Sequence, residues 1–360
     1  MAANSDAESE LRRAAELLAR ARLPVFGGLQ TDIAGAAAAI ALAQKLGGVV
    51  DHAEGESLSR ASRLMRETGA APASFGEVRN RADIVIIIGK RPLERDPDLA
   101  AKLFPKEKGL PRPGRNKRSL ILLSTGEVSL TGRVPAVEVG GKTPLPDLVA
   151  MLSARVRQNR IEIADRKMRG VLDDLAETLR NAAFAVFVCD PAELDVPVLY
   201  TILEMARQLG VTTRASVLSL APPGNGEGVN LCCTWTCALP VRTSFAREIP
   251  EHNAWTFAAE RLIENGEADA LIWIDALEGA GAGRPRGVPT VVLATNAAAG
   301  EGGDIAIDVA CAGRDHDAAL YLPAISGIGI IAAGKPNGEK PTVAAALNRI
   351  GELIDGREAA

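Results

Sequence analysis

Short runs of consecutive apolar residues alternate along the chain with longer segments in which apolar residues recur every three or four positions. The runs lie at 23–26, 84–88, 119–123, 183–188, 270–274 and 289–293, and Ser119 and Thr290 are their only polar residues. A strand without polar alternation is buried on both faces, which requires helices above and below a parallel sheet. The pattern therefore predicts an α/β protein with doubly wound, mostly parallel sheets and right-handed crossovers.

The order of elements in the first half of the chain recurs in the second half. The first strand and its helix end in a Leu-Gly pair at Gly47, and a later strand and helix end in the same way at Gly210. An Ala-Asp pair at Asp83 precedes the strand 84–88, and a second Ala-Asp pair at Asp269 precedes its counterpart. We therefore expect two related domains.

The repeat suggests a division of the chain into four parts. We expect an amphipathic helix at 1–22, a first Rossmann-like domain at 23–164 and a second at 165–315. The boundary near 165 falls within a charged helical stretch. Short strands and a final amphipathic helix at 316–360 are expected to pack back on the core.

Composition and charge narrow the range of partners. Apolar residues make up 47% of the chain, charged residues 24%, and the net charge is only -4. So small a charge draws the protein neither onto nucleic acid nor onto an anionic membrane. No apolar run approaches the roughly 18 residues of a membrane-spanning helix, and residues 1–22 lack the apolar core of a secretory signal. We expect a cytoplasmic protein without nucleic-acid or membrane partners.

A pair of glycines follows the first strand, where a dinucleotide-binding loop would begin. That loop needs three glycines in register at the start of a helix, and the third is missing here. Asp32 would also repel a phosphate from the N-terminus of the following helix. We interpret Gly27 and Gly28 as a tight turn.

The cysteines and histidines offer no clear metal framework. The one cysteine cluster is Cys232, Cys233 and Cys237, without a second ligand pair at the spacing typical of zinc or iron–sulfur sites. Buried, reduced thiols are the main interpretation, with a metal site or a redox-sensitive thiol as alternatives. The three histidines lie in separate segments. We therefore predict no catalytic residue and no metal ligand.

Two stretches carry longer motifs. The first is Gly-Glu-Val-Arg-Asn-Arg-Ala-Asp at 76–83, leading into an apolar strand, and the second runs through 224–235 and continues at 245–253. Weaker similarity covers 31–47 and 320–338. In this order the segments resemble the B subunit of formylmethanofuran dehydrogenase, a family of the molybdopterin oxidoreductase superfamily. The resemblance implies two related α/β domains of the molybdopterin-oxidoreductase type.

The chain departs from the ligand pattern of that family. The family begins with a cysteine-rich iron–sulfur segment, whereas no cysteine precedes Cys189 here. Counted back from the Gly-Glu-Val motif, the position of the family's metal-binding cysteine falls near Ser57, and serine is a poorer soft-metal ligand than a thiolate. We therefore expect a degenerate pterin cleft that binds no tungsten, molybdenum or iron–sulfur cofactor. The residues of this expected cleft are Ser57, Gly89, Lys90 and Asn225.

A metal-free protein of this kind is similar to the B subunit of the bacterial formyltransferase/hydrolase complex. The resemblance implies a non-catalytic structural subunit in the conversion of formyl-tetrahydromethanopterin to formate through a methanofuran-like carrier. Its implied partners are the amidohydrolase-like A subunit, the C subunit and the formyltransferase D subunit. An active tungsten- or molybdenum-pterin oxidoreductase subunit and an unrelated small-molecule binding module remain the alternatives.

A basic, proline-containing segment at 102–118 is the last candidate. It carries seven cations against one acid. The segment is either a solvated loop or an anion-binding rim, which could hold through charge-assisted contacts the polyglutamate-like tail that the family resemblance implies for the carrier. The residues predicted for such contacts are Lys106, Lys108, Arg112 and Arg115.

Overall fold

The chain forms two compact α/β units. The computed structural model describes residues 2–69, 72–103, 118–126, 136–279, 283–297 and 304–358. Unit 1 comprises residues 1–59, 222–322 and 327–360, and unit 2 comprises 60–221 and 323–326.

Within the described residues, the two units contain fourteen strands and twelve α-helices. The strands are β1 (Pro24–Gln30), β2 (Val49–Val50), β3 (Ile84–Ile88), β4 (Ser119–Leu123), β5 (Ala136–Val139), β6 (Phe184–Cys189), β7 (Arg214–Ser219), β8 (Thr243–Ser244), β9 (Glu251–His252), β10 (Ala270–Asp275), β11 (Thr290–Ala294), β12 (Ile305–Asp308), β13 (Ala318–Leu322) and β14 (Gly327–Ile331). The helices are α1 (Ala2–Arg20), α2 (Ile33–Leu46), α3 (Gly55–Thr68), α4 (Phe75–Arg81), α5 (Arg91–Arg95), α6 (Leu99–Leu103), α7 (Leu145–Val156), α8 (Arg166–Arg180), α9 (Val196–Leu209), α10 (Gly226–Cys237), α11 (Ala259–Glu264) and α12 (Val343–Glu358), with a 3₁₀ turn at Pro323–Ile325.

Unit 1 contains a sheet with the strand order β12-β11-β10-β1-β2-β8-β9. The strands from β12 to β2 are parallel, and β8 and β9 are antiparallel. Phe26 and Ile272 face a core formed with α1, α2, α10 and α12, whereas Val25 and Leu271 face α11. Helices therefore cover both faces, which explains the uninterrupted apolar runs.

Unit 2 contains a wholly parallel sheet with the order β5-β4-β3-β6-β7. Successive residues of β3 point to opposite faces. Ile86 packs in a core with α7, α8 and α9, and Val85 and Ile87 pack in a second core with α4 and α6. The doubly wound, parallel α/β architecture is confirmed in both units.

The predicted internal repeat has a topological counterpart. If β1 is matched with β6 and β10 with β3, as the sequence indicates, the five parallel strands of unit 1 and the sheet of unit 2 have the same order. The repeated aspartates also have the same role. Asp83 accepts hydrogen bonds from the backbone N–H groups of Ala183 and Phe184 before β6, and Asp269 accepts them from Arg22 and Leu23 before β1.

The division into units differs from the predicted boundary at 164/165. The strand β1 pairs with β10 and β3 pairs with β6, so each sheet combines strands from both halves of the chain. Asp165 caps the N-terminus of α8 and falls well within the sequence range 60–221 of unit 2, and the charged stretch forms two helices, α7 and α8. All these strands are apolar and parallel, so local pattern does not specify which of them pair.

The ends of the chain agree with their predicted elements. The N-terminal helix α1 packs against the C-terminal helix α12, and β13 and β14 form an antiparallel hairpin. Among the residues that the structure describes, no helix is both long and apolar enough to cross a membrane.

Candidate functional site

The carboxyl ends of β3 and β6 form the first candidate region, in unit 2. Neighbouring parallel strands whose chains continue in opposite directions create a crevice at their carboxyl ends, where α/β proteins bind ligands. The turn after β3 contains Gly89, which has a φ of 85°, and it presents the backbone N–H groups of Lys90 and Arg91. Such consecutive N–H groups form an anion-binding concavity.

The protein's own carboxylate fills this concavity. The Glu193 oxygens accept hydrogen bonds from the N–H groups of Lys90 at 2.9 Å and Arg91 at 3.0 Å. A Cβ atom at position 89 would collide with the same carboxylate, so only glycine permits this approach. Burial raises the pKa of Glu193, although the two N–H donors oppose the shift.

A fully buried carboxylate lies beside the half-buried Glu193. Asp190 is fully buried at the end of β6 and accepts hydrogen bonds from Arg95 at 2.6 Å and Arg91 at 3.2 Å. Arg95 also donates to the Ala221 carbonyl. The side chains of Arg91 and Arg95 are thus engaged by groups of the same unit.

In unit 1, Asn225 connects three segments at the carboxyl edge of the sheet. Its Nδ2 donates to the Thr31 carbonyl and its Oδ1 accepts from the Tyr321 N–H, each at 2.8 Å. The residue has a left-handed φ of 59°, which asparagine tolerates better than most residues. The structure therefore gives this predicted cleft residue a structural role between β1 and β13.

His52 fixes the loop that precedes Asn225. Its Nε2 lies 3.0 Å from the Gly224 carbonyl oxygen and its Nδ1 accepts from the Glu54 N–H, which assigns a neutral ring protonated at Nε2. Burial lowers the pKa of His52 to about 4. The ring is therefore neutral at physiological pH.

An adjacent ion pair ties α3 to the segment after α10. Asp51 is buried and accepts from the N–H groups of His52 and Ala259, and Arg242 lies 3.4 Å from its carboxylate. Arg242 also bonds Glu56 at 2.8 Å. Burial raises the pKa of Asp51 despite this arginine.

Ser57 lies in the first turn of α3 and is 3% exposed. Its hydroxyl has no hydrogen-bond partner among the residues that the structure describes, and the same is true of the buried Gln30 Nε2 at the end of β1. Across the described ranges, no three His, Cys, Asp or Glu side chains are grouped as metal ligands.

The predicted tight turn at Gly27 and Gly28 is wrong. Strand β1 continues to Gln30 with a register irregularity after Gly27. The Trp273 ring lies about 3.0–3.3 Å from where Cβ atoms would stand on the two glycines, so their role is close packing between β1 and β10. Asp32 was expected to repel a phosphate from the N-terminus of α2. Its carboxylate lies at this N-terminus, where it accepts a hydrogen bond from the Gly35 N–H group and caps the helix.

Some predicted residues lie outside the described ranges, and some important ones were missed. Lys106, Lys108, Arg112 and Arg115 belong to the segment 104–117, which is not described. Nothing local in the sequence distinguishes Glu193 and Asp190 from solvent-exposed acids, although Asp190 is fully buried. The acid-containing turn after β6 was the one available signal.

The fold defined by these units is that of a two-part α/β protein, of the kind found as the B subunit in formyltransferase/hydrolase complexes. No protein-family model matches the chain. A chain in the crystal structure of the formyltransferase/hydrolase complex from Methylorubrum extorquens with methylofuran is 28% identical, with a TM-score of 0.86. The match covers 98% of this chain and 97% of that one.

Sequence relatives agree with the structural match. The B subunit of the formyltransferase/hydrolase complex Fhc from Methylorubrum extorquens is 29% identical over 97% of this chain and 96% of its own length. The B subunit of tungsten-containing formylmethanofuran dehydrogenase 2 from Methanocaldococcus jannaschii is 25% identical over 76% of this chain and 65% of its own length. The resemblance predicted from the two motifs is confirmed.

Proposed function

We propose that this chain is the B subunit of a formyltransferase/hydrolase complex and acts there as a scaffold without an active site of its own. The observation that carries the assignment is the likeness over almost the whole of both chains, at a TM-score of 0.86. Its partners are the hydrolase, C and formyltransferase subunits, and its carrier is methanofuran-like. The cytoplasmic location remains a prediction from sequence.

The residues present do not fit a tungsten or molybdenum pterin. An anionic group at the Gly89 turn would meet the Glu193 carboxylate, which already accepts both backbone N–H groups. At the N-terminus of α2, the Asp32 carboxylate already accepts the hydrogen bond of the Gly35 N–H group, which an anionic ligand would otherwise use. The hydroxyl of Ser57 is a weak ligand for a soft metal. These contacts support a frame whose ligand positions have been taken over by internal side chains.

Assembly is the direct test of the proposal. A tagged chain, co-expressed with the other three subunits, should purify with them as one species in size-exclusion chromatography. The assembled complex should release formate from the formylated carrier, and omission of this chain should abolish assembly. A chain that elutes alone when all partners are present would instead support an unrelated binding module.

Metal analysis separates the scaffold from an active oxidoreductase subunit. The purified complex should contain less than about one tenth of an equivalent of tungsten or molybdenum per copy of this chain. One equivalent, together with bound pterin, would overturn the scaffold role but leave the subunit assignment intact.

The basic segment at 102–118 carries a separate proposal. Simultaneous neutralisation of Lys106, Lys108, Arg112 and Arg115 should raise the apparent KM for the carrier, because salt-sensitive contacts to a polyanionic tail would be lost. Neutralisation of Arg207, an exposed cation that pairs with Glu204 on α9, serves as the control. An unchanged KM at low ionic strength would refute this role.

A further inference from the structure

The C-terminal turn of α10 contains two cysteines whose sulfur atoms nearly touch. The sulfurs of Cys233 and Cys237 lie 3.7 Å apart. Cys233 is fully buried in the core of unit 1, whereas Cys237 is half-buried. Residues four apart on a helix lie on the same face, so this proximity follows from the helix itself.

We propose that Cys233 and Cys237 form a peroxide-sensitive dithiol, in which Cys237 is the residue attacked first and Cys233 resolves it to a disulfide. The roles follow from exposure, since an oxidant reaches the half-buried sulfur before the buried one. The environment supports this order. The two sulfurs share a hydrogen bond in which either can be the donor; with Cys233 as the donor, the pKa of Cys237 is lowered to about 7 and the pKa of Cys233 is raised.

The reaction balances with one peroxide per pair. The Cys237 thiolate attacks the O–O bond of hydrogen peroxide, and the leaving hydroxide takes up a proton to give water while the cysteine becomes a sulfenic acid. The Cys233 sulfur then attacks that sulfur and loses its proton. The S–O bond breaks, and a second water leaves. Two thiols and one peroxide thus yield one disulfide and two waters.

The end of the helix allows the closure that this bond requires. A disulfide brings sulfurs to about 2.05 Å and Cβ atoms to about 3.8 Å, compared with about 5–6 Å between Cβ atoms four residues apart on a helix. The last turn must therefore tighten or unwind. Ala238 follows Cys237 with a left-handed φ of 63°, so the helix already ends there. Only one turn needs to change.

A third cysteine on the same helix provides a matched control. Cys232 is fully buried, and its sulfur faces the Ile33 carbonyl of α2 at 3.9 Å. It shares the peptide and the redox environment of the pair but points to another neighbour. An oxidation specific to the pair must leave Cys232 reduced.

The test uses the full chain, reduced and then exposed to equimolar hydrogen peroxide at neutral pH. Remaining thiols are alkylated, and the tryptic peptide 215–242 is analysed by mass spectrometry. We expect a 2 Da loss, one alkylated thiol at Cys232, and the same disulfide in Cys232→Ser. In Cys233→Ser, Cys237 should instead be trapped by dimedone as a sulfenic acid.

Two results would overturn the proposal. One is a wild-type peptide with all three thiols alkylated under conditions that oxidise a free dithiol of the same spacing. The other is a disulfide that is lost in Cys232→Ser or persists in Cys237→Ser. Because the wild-type peptide is decisive by itself, the test does not depend on whether any variant folds.

Discussion

Asn225 offers the sharpest test of whether a predicted cleft residue is structural. In Asn225→Ala, the hydrogen bonds to the Thr31 carbonyl and the Tyr321 N–H are lost. Each contributes about 0.5–1.5 kcal/mol, and a left-handed alanine costs about 1–2 kcal/mol more. The free energy of unfolding should therefore fall by about 2–5 kcal/mol. In Asn225→Gly only the bonds are lost, so glycine should be the more stable variant by about 1 kcal/mol.

Urea denaturation followed by tryptophan fluorescence measures both variants. All three tryptophans, Trp235, Trp255 and Trp273, lie in unit 1 with Asn225, so the signal follows the unit that is perturbed. The shift in midpoint at constant slope gives the change in free energy. A free energy of unfolding for Asn225→Ala within about 0.5 kcal/mol of wild type, or equal stability of the two variants, would refute the structural role.

Three further predictions concern the other buried polar groups. Asp83→Asn should destabilise the fold by about 2 kcal/mol and Asp269→Asn by less than about 1 kcal/mol, because Asp83 is buried and Asp269 is 29% exposed. Denaturation followed by circular dichroism measures both, and equal losses of stability would contradict this reasoning. The pKa of His52 in the folded protein, about 4, lies below the ordinary 6.5, so the free energy of unfolding should fall by about 3 kcal/mol as the pH falls from about 6.5 to 4. His52→Gln should lack this pH-dependent loss. A pH profile of this variant identical to that of wild type would exclude the role of His52. Glu193→Ala should expose the N–H groups after Gly89, so that 10 mM pyrophosphate, with a Kd of about 1 mM, stabilises this variant by about 1.4 kcal/mol in thermal melts. Glu193→Gln and wild type should not respond. A response of wild type would show that the carboxylate does not fill the site.

Much of the local structure could be predicted from the sequence. Unbroken apolar runs such as 84–88 require burial on both faces, and this identified the parallel sheets. The repeated Ala-Asp pairs indicated two related units, because each aspartate bonds the backbone before a neighbouring strand. The family resemblance extended this to the fold, and the comparisons confirm it.

The candidate site was only partly accessible in this way. Ser57 and Asn225 could be named from motifs, but the partners of Asn225 lie 194 and 96 residues away in sequence. Glu193 reaches the Gly89 turn across 103 residues. No local pattern specifies that the Glu193 carboxylate accepts backbone N–H groups from the turn after β3.

The sequence by itself determined the elements, their repeat and their class, because burial and backbone capping are imposed by near neighbours along the chain. Only the tertiary structure decided that β1 joins β10 and β3 joins β6, since apolar parallel strands can pair in many orders with similar local energy. It also placed Glu193 at the Gly89 turn and the Trp273 ring against Gly27 and Gly28. Those contacts depend on long-range packing, which sets the distance between residues that the sequence separates.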